Sequence, residues 1–344
     1  MTEKVSDMSI TELEREATSL CQELDLPAND QPVQQLIGHA EQRIAELARS
    51  MGDIERFDQL LRIAASYLGV DLKFIKSECD LEELHLGGNA SRFHPGTIRE
   101  EFQSGETEGA LLRHLDSEGF KYLSLIDARA EQRYRAYFTA WHELAHVIIT
   151  PKRLDRGEVR RISPKPQRTE PVERLVDRVA GRIGFYKPIF RRALKIAYDV
   201  EPTISFSLLE KALYVACEPE SDVPMPSLHA TARAFVRCAK VPTCFLRVDK
   251  QLKKEERRQV ESRQQWFSGL EPEKPNPKPR VAEVCYSGTA ERVFEIRRNM
   301  RIPSSSIIYR TFCGEGGKHS ETPVVHEDQG DWETSRDGHL SPLP

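Results

Sequence analysis

The strongest constraint on the fold of this chain is a short apolar strand that runs directly into a long amphipathic helix. Phe120 to Ile126 (FKYLSLI), bounded by Gly119 and Asp127, is the expected strand. From about Ala128 to Ile149 the apolar positions Tyr134, Phe138, Trp141, Ala145 and Ile148 keep helical spacing, and Pro151 ends the pattern. This helix carries Trp141-His-Glu-Leu-Ala-His146. His142 and His146, one turn apart, project from one face and can bind one metal ion, while Glu143 lies about 100° round the helix. A divalent ion held there lowers the pKa of a water toward about 7 and polarises a carbonyl, and Glu143 is placed to take and return the proton. The bland alternative is a surface helix with two ordinary histidines.

A catalytic zinc takes three protein ligands and keeps one position open, so a third ligand is needed. A metzincin arrangement would require Gly and His where the chain has Ile149 and Lys152, so it fails. The helix expected from Pro171 to about Phe185 offers Glu170, Glu173 and Asp177, with Leu175, Val176, Val179 and Ile183 to bury against the first helix. Glu173 and Asp177 share a face, which favours Glu173 as ligand and allows Asp177 to accept a hydrogen bond from a ligand imidazole. Arg174 and Arg178 make an ordinary charged helix surface the competing account. Two His and a Glu accept zinc or manganese, and zinc is the expected occupant. Tyr137, Tyr186 and His94 are oxyanion-donor candidates by residue type only. An exposed FKYLSLI edge would let Tyr122, Leu123, Ser124 and Leu125 pair with an extended substrate.

Elsewhere, Ser9 and Glu12 have capping-box spacing for a helix to about Leu24, and a longer helix is expected from about Gln34 to Leu68, ended by Gly69. Asp71 to Ile75 alternates like a strand, Gly87 to Gly96 reads as loop, and helical spacing returns from Thr97 to Leu115. Helices are expected between Phe190 and Arg263, including a pair at Pro226 to Arg237 and Pro242 to Leu252. EPEKPNPKPR, residues 271–280, is a proline-rich linker. Val281 to Tyr286, Arg292 to Arg297 and Ser305 to Phe312 alternate as short strands, and from Gly314 the polar composition predicts a disordered tail.

Seven scattered cysteines without a C-x-x-C pair argue against a disulfide framework or a cysteine zinc knuckle. The opening MTEKVSDMSITELERE lacks an apolar signal core and no run of 18 apolar residues occurs, so a cytoplasmic protein without a membrane span is expected. The net charge of −4 hides a local bias: residues 151–195 hold 14 Lys or Arg against 5 Asp or Glu. Such a stretch could meet an acidic partner or nucleic acid, or else is a solvated basic face.

These residues resemble the ImmA/IrrE metallopeptidases, the family that includes the radiation-response regulators of deinococci. Gly69-Val-Asp-Leu-Lys-Phe-Ile75 is similar to that family's first strand, Tyr137-Phe-Thr-Ala-Trp-His-Glu-Leu-Ala-His146 to its R-F-T-x-A-H-E-h-x-H segment, and Glu173-Arg-Leu-Val-Asp177 to its E-x-x-A-N turn. Trp141 stands where a small residue is usual, and Ala145 where Gly or Ser is frequent. The resemblance implies His142, His146 and Glu173 as ligands and Glu143 as catalytic base. It also implies a substrate: a helix-turn-helix transcriptional repressor cut at one peptide bond, derepressing DNA-damage or mobile-element genes. Ser227 to Leu252 is similar to the family's helix-turn-helix-like portion, which would bring DNA in as a partner, and the strands after Val281 to the start of its GAF-like domain.

The expected fold is α+β. It comprises an N-terminal helical extension (1–50), a minimal zincin-like metallopeptidase domain with a small antiparallel sheet (51–200) and a helical, helix-turn-helix-like domain (201–267). A linker (268–280), a partial GAF-like β segment (281–313) and the tail (314–344) follow. The competing functional expectation is a non-catalytic metal-binding, DNA-binding or scaffolding regulator.

Overall fold

In a computed structural model of the protein, the residues described are 3–83, 95–104, 107–113, 121–154, 160–162, 170–253, 255–258, 276–288, 290, 296–304 and 306–313. The chain is mixed α+β, mostly helical with a small sheet, and divides into two compact units, Met1–Ala234 and Phe235–Pro344.

The first unit holds α1 (Glu3–Glu23), α2 (Pro32–Ser50), α3 (Phe57–Tyr67), β1 (Val70–Ile75), α4 (Glu78–Glu82), α5 (Pro95–Gln103), β2 (Gly109–Arg113) and β3 (Tyr122–Asp127). A 3-10 turn at Ala130–Gln132 leads into α6 (Arg133–Ile149). The short α7 (Pro151–Leu154), β4 (Arg160–Ile162), α8 (Pro171–Ile183), α9 (Lys187–Val200) and α10 (Phe206–Ala216) follow. Helix α11 (Leu228–Cys238) carries the chain into the second unit.

The sheet is mixed, not purely antiparallel: its order is β1-β3-β2-β4, with β1 and β3 parallel and the other pairs antiparallel. Strand β3 is therefore central, and all six of its residues are buried. The expectation that Tyr122, Leu123, Ser124 and Leu125 offer a free edge is overturned, because β1 occupies one side of this strand and β2 the other. The edges of the sheet are β1 and β4.

Helix α6 lies against the sheet and is covered by α8, which is in turn packed by α1 and α2. From Tyr137 to Ile149 every residue of α6 except Phe138 is buried. Such all-round burial is the mark of a central core helix rather than a surface one. Trp141 is fully buried, and Gly184 makes the room: a Cβ there would meet Trp141 Cδ1 at 2.9 Å. Phe57, Tyr137, Phe185 and Phe190 close this part of the core, with ring centroids 5.6–6.2 Å apart.

Several expected elements differ. The helix from Gln34 to Leu68 is two, broken where Gly52 adopts φ +82°. Ser9 lies inside α1 rather than at its start. Residues expected to extend a helix to Leu115 form β2, an apolar run (GALLR) too short to distinguish strand from helix by periodicity.

In the second unit, β5 (Cys244–Gln251) pairs antiparallel with β6 (Lys278–Tyr286) around Val281 and Ile302, and α12 (Ile307–Cys313) packs beside them through Ile308 and Tyr309. The helix expected at Pro242 to Leu252 is thus a strand. With it the helix-turn-helix expectation loses its second helix. The end of the expected linker, Lys278 to Arg280, is also strand. Ser305 to Phe312 is mainly helix, begun by Ser306, whose Oγ accepts from the Tyr309 N–H at 3.1 Å. Most of Arg292 to Arg297, and all of the expected tail, lie outside the described residues. Among the described residues no helix is long and apolar enough to cross a membrane.

Candidate metal centre

Two helices build the site. Helix α6 supplies His142 and His146, 3% and 1% exposed, and α8 supplies Glu173 from its first turn. Pro171 at the start of α8, with Leu175, Val176, Val179 and Ile183 buried beneath it, turns Glu173 toward α6. The ligand atoms converge: His142 Nε2 lies 3.1 Å from His146 Nε2 and 3.1 Å from Glu173 Oε2, and His146 Nε2 lies 3.4 Å from the same oxygen. Bonds of about 2.0–2.2 Å in a tetrahedral arrangement place donor atoms about 3.3–3.6 Å apart. The triangle therefore fits a divalent ion to within a few tenths of an ångström, and this buried group could bind a metal ion.

Proton bookkeeping points the same way. Asp177 Oδ1 lies 2.9 Å from His142 Nδ1. With Nδ1–H donated to Asp177, the Nε2 of a neutral His142 presents a lone pair to the carboxylate of Glu173 and to a second imidazole. A proton or a cation is required to reconcile them. In the protein without metal a proton does so: burial disfavours the imidazolium of His142, but the hydrogen bonds to Asp177 and Glu173 and the charge of Glu143 outweigh it and lift its pKa to about 9. Burial likewise opposes ionisation of Glu173, yet His142 and His146 hold it well below the usual carboxylate range.

Glu143 is completely buried on the sheet side of α6. Gly109, the first residue of β2, admits it: a Cβ at that position would sit 3.2 Å from Glu143 Oε1 and 2.6 Å from Thr139 Cγ2. The sequence held no signal for Gly109 beyond its being a glycine in a segment read as helix. Its register partners are Ile126 on β3 and Ile162 on β4.

Of the other candidates, Glu170 is the exposed N-cap residue of α8 and stands outside the ligand cluster. Tyr137 is spent in the core, its hydroxyl donating to the Gly184 carbonyl at 2.5 Å, and is no oxyanion donor here. Tyr186 stands at the N-cap position of α9 without a side-chain capping bond and outside the ligand cluster, and His94 lies outside the described residues. Tyr122, Leu123, Ser124 and Leu125 are buried at 0–4% exposure within the sheet. No family model matches this sequence, and no curated protein matches it either.

Proposed function

We propose that this chain is a metal-dependent endopeptidase of the ImmA/IrrE type, making one cut in a helix-turn-helix repressor. The observation that carries the reading is the convergence of His142, His146 and Glu173 from two helices, with Glu143 next to His142 and outside the ligand set. A metal held there, zinc or manganese, would polarise a peptide carbonyl and acidify water. Glu143 would accept the water's proton and return it to the leaving amine, Asp177 would fix the His142 tautomer, and the surrounding core would exclude bulk solvent.

Among the described residues the sheet edges β1 and β4 are open to pairing with an extended substrate, and β4 is the edge beside the base, since Ile162 pairs with Gly109. Charge reversal of Arg160 and Arg161 on β4 is expected to weaken cleavage, as the local positive bias should favour an acidic repressor face.

A second reading has an observation of its own: Glu143 and His146 are 0% and 1% exposed, which also suits a metal that only ties α6 to α8 in a non-catalytic regulator. The test is incubation of the metal-loaded protein and its Glu143→Gln variant with the helix-turn-helix repressors of the same genome, read by intact mass. A single cut lost in Glu143→Gln with metal retained supports the peptidase. Metal bound by both proteins and no cut by either supports the regulator.

A further inference from the structure

Three further residues sit on the α6 stripe that bears the ligands, and one of them has a chemistry the mechanism above leaves unused. At about 100° per residue, Arg135, Thr139, His142, His146 and Glu143 fall within one arc of about 100°. The inner end of that stripe is closed, but Arg135 is 53% exposed. It is nevertheless not a loose surface arginine. Its Nη1 lies 2.5 Å from Oε1 of Glu108, which is only 2% exposed. Glu108 immediately precedes Gly109, the residue that admits the Glu143 carboxylate. Its backbone carbonyl accepts from the Asp127 N–H at 2.9 Å, so its position is set by the sheet. Asp127, also buried, is neutralised by its own partner, Arg129, at 2.9 Å.

Burying a carboxylate is costly unless it is paired, and the pairing with buried Glu108 fixes one end of a half-exposed guanidinium. Glu108 pairs with one nitrogen of the Arg135 guanidinium, and five N–H donors are more than one carboxylate takes up, so donors remain for a second carboxylate. Arg135 and His142 are seven positions apart on the helix, a rise of about 10 Å, which an extended peptide spans in about three residues.

We propose that Arg135, held in place by Glu108, is a specificity-determining residue that receives a substrate carboxylate about three residues from the bond cut beside Glu143. The substrate class is then a peptide segment with Asp or Glu at that distance. This rests on the peptidase reading and refines it.

The test uses the full-length, zinc-loaded protein and a library of peptides prepared by digesting a bacterial proteome, with cut sites identified by mass spectrometry. The wild type is expected to enrich Asp or Glu about three residues from the cut, on one side. Arg135→Ala should lose that enrichment and cut an acidic peptide about tenfold less efficiently, through KM rather than kcat. Arg135→Glu should turn the preference toward Lys or Arg at the same position, and Glu108→Gln should blunt the preference while zinc content stays at the wild-type level. A purely structural ion pair would lower activity on all peptides alike and leave the profile unchanged, which overturns the assignment. Absence of any cut by the zinc-loaded wild type sinks the peptidase reading itself, a result distinct from cleavage with an unaltered profile.

Discussion

Asp177 Oδ1 lies 2.9 Å from Nδ1 of His142, one helical turn beyond the ligand Glu173 on the same helix. A carboxylate at this place fixes both the tautomer and the direction of the imidazole. Such partners typically contribute about ten- to a hundredfold in metal affinity. Asp177→Ala should therefore bind zinc about tenfold or more weakly, as measured by competition with a chromophoric chelator. The side chain is 48% exposed, so its removal leaves no cavity in the core. Unaltered zinc affinity would remove Asp177 from the site.

Gly109 offers a test of how the base is seated. A methyl group there must displace Thr139 Cγ2, 2.6 Å away, and press on Glu143 Oε1 at 3.2 Å. Overpacking of this kind costs about 1–3 kcal/mol and bears directly on the carboxylate. Gly109→Ala is expected to unfold at lower urea concentration, to keep one zinc per chain, and to lose most cleavage. Full activity with reduced stability would show that Glu143 is not held by this contact.

What the sequence made legible follows from periodicity. The α6 and α8 stripes and the His–Glu–His spacing survive in the structure because each depends on residues within one helix. Glu173, read from ligand number, helix spacing and the family resemblance, lies 3.1 Å from His142. The failures are tertiary. β2 and β5 are short apolar runs whose strand character comes from pairing with β3 and β6, which no local pattern encodes. The centrality of β3 depends on β1, about fifty residues earlier in the chain. Gly109 and Glu108 gain their meaning only once β2 is laid beside α6.

The central position of β3 reverses one expectation. On a free edge, proline at Leu123 would block substrate pairing and spare the fold. Here Leu123 is paired with Asp71 on one side and Leu112 on the other. Proline removes a ladder donor and clashes within a central strand, at a cost of about 3 kcal/mol or more. Leu123→Pro should lose near-UV circular dichroism and zinc binding together, and retention of zinc with selective loss of cleavage would restore the edge-strand idea.

The site also makes a pH prediction for the metal-free protein. Burial opposes the His142 charge, but Asp177 and Glu173 hold its pKa at about 9, above the unfolded value of about 6.5. The stabilisation is thus fully present below about pH 6.5 and is lost as pH rises through about 9. The urea midpoint of metal-free protein should fall between about pH 7 and 9.5. Zinc replaces the proton among the same three atoms, so saturating zinc should flatten the profile. A metal-free midpoint that stays level across this range would show that no proton bridges His142 and Glu173.

The basic stretch after α6 makes the last prediction, because much of its charge is already engaged within the first unit. Arg153 Nη2 lies 2.7 Å from Glu23 Oε1 and Nη1 lies 2.5 Å from Glu16 Oε1, while Lys152 meets Asp25, Arg182 and Lys187 meet Glu41, and Arg192 meets Glu55. The hydrogen bonds to Glu23 lead in raising the pKa of Arg153. At 20–25% exposure this three-residue network lies between surface pairs, worth about 0–1 kcal/mol, and buried ones, whose breakage costs about 3–5 kcal/mol. Arg153→Ala should accordingly destabilise the fold by about 1–2 kcal/mol in urea. Because α1 packs on α8, the helix of Glu173, the loss should also weaken zinc binding by a few-fold, while cleavage per zinc-loaded molecule stays unchanged. Loss of repressor cleavage at full zinc occupancy would instead place Arg153 on the recognition surface, with its bonds to α1 incidental.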